Sequence, residues 1–193
     1  METKIQLKLK VGLFGIGLDA YWEQFQGLKE RLESNIQKVS DKLQKDDTTV
    51  EIVNLGLIDT SQKAMEAGHR FRQADVDIIF LYVTTYALSS TVLPVVQRVK
   101  VPVIILNLSP EPSINYEWFN NLGDRTKMTG EWLAHCSACP VPEIANVFKR
   151  AGIRFFQITG MLHNDIECWN EINEWIEAAK VTNIMSHNRL GAM

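Results

Sequence analysis

Basic clusters are missing from this sequence. Twenty lysines and arginines are outnumbered by 23 aspartates and glutamates, for a net charge of −3. The short run of Lys4, Lys8 and Lys10 is too small to give an electrostatic footprint for nucleic acid or an anionic membrane. Long apolar runs are absent too, and no stretch approaches the about 20 residues a membrane span requires. Cysteine is scarce: three in 193 residues, an odd number, make no disulfide framework and point to a reducing cytoplasm. The apolar stretch from Val11 to Leu18 imitates a secretion signal. Asp19, Tyr21 and Trp22, however, stand where small residues would form a cleavage site.

Several reaction motifs are also absent. There is no P-loop, no nucleophile elbow and no H-E-x-x-H. Glu111, Glu117, Glu131 and Glu143 share one region, but nothing in their spacing sets them on one face. No metal ligand set and no cofactor are therefore expected within this chain.

What is present is a repeated strand-turn-helix unit. Val11, Leu13 and Phe14 make an apolar run without helical period, followed at once by Gly15 and Gly17, which predicts a buried strand ending in a tight turn. A helix over about 21–44 follows, with Phe25, Leu28, Leu32, Ile36, Val39 and Leu43 on one stripe. Strands are predicted at 50–55, 78–83, 101–106 and 153–159. The run Ile78 to Val83 is apolar throughout, as a central parallel strand covered on both faces must be. Helices are expected after Asp59 and Asn164, each read as the start of a capping box, at about 91–99, and after Pro140. The stretch from Asn107 to about Pro142 reads as mostly loop, with at most a weak helix before His135, and Val181 to His187 as extended. The expected fold is α/β, a flavodoxin-like (Rossmann-like) three-layer sandwich with a five-stranded parallel sheet, occupying residues 1–180. Residues 181–193 read as the start of a connection to a further domain.

A parallel sheet of this kind places its ligands beyond the carboxyl ends of the strands. Three constellations fall there. Gly15-Ile16-Gly17-Leu18-Asp19-Ala20 satisfies the dinucleotide pattern, but Asn54 occupies the acidic position that a ribose needs, and Tyr21 and Trp22 crowd the approach. A tight turn is the better account. Thr84, Thr85, Tyr86, Ser89 and Ser90 bring five hydroxyls to one edge; helix capping by Ser90 or Thr91 explains one or two of them, and a polyol ligand would use the rest. Cys136 and Cys139 form a C-x-x-C ahead of a helix. They could be structural, a redox pair, or half of a zinc site whose other ligands are not in the sequence.

The segments VGLFGIGLDAYWEQF, IIFLYVTTYA, VPVIILN, TGEWLAHCSACPVPEIANVF, FFQITG and the closing HNRLG together resemble the N-terminal domain of the L-arabinose and L-fucose isomerase family. The first turn departs from the arabinose isomerase pattern, with Ile16, Gly17 and Leu18 where that family has a glutamine and a histidine. The resemblance implies the front domain of a metal-dependent aldose-ketose isomerase, inactive alone, with Mn2+ expected for the complete enzyme. It also implies homo-oligomer contacts and one wall of a pocket for a pentose or deoxyhexose. His135 resembles the family's pocket histidine; Tyr21, Trp22, Thr84 and Tyr86 are the other candidate sugar contacts. A non-catalytic sugar-binding or assembly domain is the alternative, and a thiol redox protein using Cys136 and Cys139 is a further one.

Overall fold

The computed structural model describes residues 8–44 and 47–187. Within them five strands form one parallel sheet in the order β2-β1-β3-β4-β5, comprising β1 (Leu9–Ile16), β2 (Val50–Ile58), β3 (Ile78–Tyr82), β4 (Val103–Ser109) and β5 (Phe155–Met161). This is the flavodoxin-like doubly wound order, with its reversal between β1 and β3. Alternation along each strand assigns side chains to the two faces. Ile78, Phe80 and Tyr82 of β3 join Leu9, Val11 and Leu13 on one side, under α1 (Leu28–Gln44) and α7 (Ile166–His187). Ile79, Leu81 and Val83 face the other side with Phe14 and Ile16, under α2 (Ser61–Ala74), α3 (Ser89–Val96) and α6 (Val141–Arg150).

The α1 stripe is buried as its spacing requires: Leu28, Leu32, Ile36, Val39 and Leu43 are each at most 4% exposed. Each such side chain stabilises the fold by about 1.5–3 kcal/mol. The helix can lie this close because Gly15 has no side chain; a Cβ there would stand 2.4 Å from Ile36 Cδ1. α1 begins later than the sequence suggests. Asp19–Tyr21 is a single 3-10 turn, and Gly27, at φ +79°, takes a left-handed conformation immediately before Leu28.

Other boundaries need correction as well. The segment read as mostly loop, with at most a weak helix before His135, holds α4 (Tyr116–Asn120) and a full helix there, α5 (Arg125–His135). Asn115 caps the first, its Oδ1 accepting from the Trp118 N–H at 3.0 Å; Asp124 caps the second, accepting from Thr126 and Lys127. Of the eleven residues of α5 only Leu133 and Ala134 are buried, so no apolar stripe announces it. Residues 181–187, expected to be extended, are the last turns of α7. Thr182 Oγ1 there bonds back to the Ala178 carbonyl, and buried Asn183 donates to Asp77 Oδ1 at 2.7 Å. Ile166, at the start of α7, is 77% exposed; Cys168, Ile172 and Ile176 form its inner face. The closing residues 188–193 lie outside the described part.

In place of the two expected capping boxes, each helix has a single cap one residue later. Thr60, not Asp59, caps α2, its hydroxyl accepting from the Lys63 N–H at 3.2 Å. Asp165, not Asn164, caps α7, accepting from the Cys168 N–H at 3.0 Å. Neither Ser90 nor Thr91 caps α3; Thr91 donates its hydroxyl to the Leu88 carbonyl, and the Ser89 N–H is met by Glu143 Oε1 at 3.0 Å.

Candidate functional site

The turn after β1 is set by packing. Gly17 donates its N–H to the Ile58 carbonyl at 3.0 Å, and a Cβ on Gly17 would stand 2.7 Å from the Trp22 ring. The indole thus occupies the space that a pyrophosphate would need at a dinucleotide turn. Trp22 is held there by Asp59, which is 2% exposed and accepts from Nε1 at 2.8 Å. Lys63 Nζ lies 2.7 Å from the other Asp59 oxygen and balances its charge. Asn54, at the position where a dinucleotide fold places its ribose acid, instead accepts from the Gly56 N–H at 2.9 Å where β2 slips register against β1.

The hydroxyls of Thr84, Thr85 and Tyr86 after β3 each have a partner. Thr84, 4% exposed, accepts from the Ile16 N–H at 3.1 Å and donates to the Ile16 carbonyl, so it joins β3 to β1 at the reversal. Thr85, fully buried, donates to the Leu133 carbonyl at 2.7 Å and anchors the end of α5. Both hydroxyls are engaged by the backbone of neighbouring elements. Tyr86 remains half-buried, its hydroxyl 3.3 Å from Glu143 Oε2, and that carboxylate raises the Tyr86 pKa above the ordinary phenol value. Tyr21 lies close to Tyr86 and Cys136; burial first, then these neighbours, raise its pKa. Its ring packs edge-on against both Trp22 and Phe25.

His135 ends α5, with Nδ1 2.8 Å from the Glu131 carbonyl. A carbonyl only accepts, so Nδ1 carries a hydrogen. Next to it, Cys136 is 4% exposed, and burial together with the adjacent Cys139 thiol pushes its pKa up to about 12. A buried thiol this hard to ionise is the reverse of an activated nucleophile.

A cleft that no motif in the sequence identified lies beside these residues. About 560 Å³ in volume, it opens between the β1–α1 connection and α5, at the carboxyl edge of the sheet. Phe25 and Gly130 meet at its apolar side, where a Cβ on Gly130 would come 3.4 Å from Phe25 Cβ. Arg31 of α1 and Glu131 of α5 form an ion pair across it, Nη1 to Oε2 at 2.8 Å, both partly exposed. Glu23, Gln26 and Lys127 add polar groups to its lining. The signals that could have revealed it were Gly130 and the Asp124 cap, both inside the segment read as loop. Of the five predicted contacts, none lines this cleft; Tyr21 touches Phe25 at its margin, and His135 follows the lining residue Ala134. Among the described residues no group of three or more His, Cys, Asp or Glu is placed to hold a metal ion.

Fold and edge together define a flavodoxin-like α/β domain with a polar cleft beside its strand reversal. No protein-family model matches the sequence, and no curated protein does. Among solved structures, the chain is similar to a lipase/acylhydrolase from Enterococcus faecalis. Identity is 12% and the TM-score 0.33, with 96% of this chain and 100% of that one covered, a level of likeness that carries no inference about activity. The expected membership of the arabinose/fucose isomerase family is corrected here: neither a family model nor a curated protein of that family, or of any other, matches the sequence. The isomerase activity and Mn2+ inferred from that resemblance go with it. The order and spacing of β-α units on which it rested belong to doubly wound sheets generally, and a fold of this kind hosts many functions.

Proposed function

We propose that the protein binds a small, uncharged, hydroxyl-rich molecule in the cleft between the β1–α1 connection and α5. The observation that carries this reading is the cleft itself. Its volume of about 560 Å³ falls within the range of small-molecule sites. Three of its five charged groups are already engaged, Arg31 with Glu131 and Asp124 with the first amides of α5, and the other two, Glu23 and Lys127, are of opposite sign, so the lining presents no dominant charge to select a charged ligand. Planar guanidinium, carboxylate and amide groups beside an aromatic ring suit neighbouring hydroxyls on an apolar carbon frame. A cytoplasmic setting belongs to the same reading, supported by the free thiols of Cys136, Cys139 and Cys168.

The test is thermal unfolding against a panel of pentoses, hexoses and linear polyols, with citrate and glycine as charged contrasts. A ligand at one hundred times its Kd stabilises by about 2.7 kcal/mol, a rise of about 5–10 °C for a chain of this length. Gly130→Leu, which fills the apolar side of the cleft, is expected to abolish the rise. The reading fails if no member of the panel raises Tm, or if the variant responds as the parent does.

A further inference from the structure

The C-x-x-C segment joins the end of α5 to the start of α6. Cys136 is the residue that closes α5, with φ −83° and ψ 63°, and Cys139 stands just before Pro140, which opens α6. Cys136 is buried while Cys139 is exposed, and the Cys139 thiol is near enough to add to the rise that burial causes in the Cys136 pKa. An exposed thiol backed by a buried neighbour three residues away is the arrangement a dithiol needs for stepwise oxidation. The same junction controls α5. The Leu133 carbonyl is fixed by Thr85, Ala134 lines the cleft, and His135 and Cys136 follow directly.

We propose that Cys136 and Cys139 form a reversible disulfide that fixes the α5–α6 junction and with it one wall of the cleft. The oxidant is a small-molecule disulfide of the glutathione type. The Cys139 thiolate attacks one of its sulfurs, forming a mixed disulfide and expelling one glutathione thiolate. Cys136 then gives its proton to solvent and attacks Cys139 Sγ, expelling the second. The protein loses two thiol hydrogens and two electrons, and the small disulfide is reduced to two thiols. The difficulty of ionising Cys136 makes the second step slow and leaves the reduced dithiol without thiolate stabilisation, so the bond, once formed, resists reduction. Its consequence for ligand binding rests on the cleft being the binding site; its formation does not.

The experiment is therefore run without ligand. The purified chain is incubated with oxidised glutathione, and its intact mass and the amide exchange of α5 are measured, with Cys136→Ser, Cys139→Ser and dithiothreitol reversal as controls. The expected result is loss of two hydrogens in the parent alone, reversed by dithiothreitol. Exchange of the amides from Leu133 to Cys136 should slow about tenfold, the order that closing a four-residue loop gives. The proposal is overturned if the mass is unchanged, if Cys139 stops at a stable glutathione adduct, or if the disulfide forms and α5 exchange stays as it was.

Discussion

Replacing Thr84 by valine separates a structural hydroxyl from a ligand contact. Valine matches threonine in shape, so the buried methyl contacts survive and no cavity opens. What is lost is the pair of bonds to Ile16, whose side chain is fully buried and whose N–H and carbonyl both meet the Thr84 hydroxyl. The β1–β3 ladder ends one residue earlier, at Gly15 and Tyr82, so this side chain acts as a further rung at the strand reversal. Leaving one buried backbone group unsatisfied costs about 1–3 kcal/mol, and with two affected a loss of about 3 kcal/mol is expected. At 2–4 °C per kcal/mol for a chain of this length, Tm should fall by about 6–12 °C. Thr84→Ser keeps the hydroxyl and drops one methyl, at a cost of about 1 kcal/mol. Calorimetric melting of the three proteins at one concentration decides the matter. If the valine variant melts at or above the serine variant, the hydroxyl is not a structural tie and the reasoning fails.

Gly68→Ala sets helix propensity against packing. A Cβ there would stand 2.7 Å from the Pro94 backbone carbonyl of α3, which cannot swing aside as a side chain could. The propensity gain of about 1 kcal/mol is outweighed by an overpacking cost of about 1–3 kcal/mol, so urea unfolding should show a net loss; a rise in stability would show that α3 yields freely. Asp47→Asn probes the ion pair with Lys180. Hydrogen bonds from Lys180 and Thr49 lower the Asp47 pKa from 3.8 to about 2. A carboxyl depressed on folding contributes stability that is fully present above pH 4–5 and lost as the pH falls toward 2. With allowance for solvent screening at a partly exposed pair, the asparagine variant should be less stable than the parent by about 1 kcal/mol at pH 7. The two should converge by pH 2, and a gap that persists there would mean that something other than ionisation separates them.

The parallel sheet was legible because β3 and β4 are covered on both faces and must therefore be apolar at every position, as Ile78 to Tyr82 and Val103 to Leu106 are. α6 was legible from Pro142 in its first turn, its stripe of Ile144 and Phe148, and Gly152 past its end, at φ +69°. The helix α5 showed only as a weak helix before His135, since a helix that buries two of its residues leaves little period to read. The end of α7 misled for the opposite reason: Val181, Thr182 and Ile184 are β-branched and suggest a strand, while the buried bond from Asn183 to Asp77, which holds those turns, joins residues far apart in the chain. The cap positions slipped because Asp59 and Asn164 are good caps whose side chain or backbone is used elsewhere: Asp59 holds Trp22, and Asn164 takes φ 55°. Thr84 shows the general difficulty at the site. A hydroxyl at a strand end looks the same in sequence whether it serves a ligand or the neighbouring strand, and only the position of Ile16 separates the two.

The anchoring of α5 at one end has a thermodynamic consequence. Its carboxyl end is tied by Leu133, Ala134 and the Thr85 hydroxyl, while residues 125–129 are exposed apart from a half-buried Met128. A helix held in this way behaves as a lever, and the Arg31–Glu131 pair is the single charged contact that draws it toward α1 among the described residues. Anything seated in the cleft would have to stiffen that lever as well as make its own contacts. Calorimetry would then show favourable enthalpy opposed by an ordering entropy, and because salt weakens the Arg31–Glu131 pair, apparent affinity would fall with ionic strength even for a ligand that carries no charge.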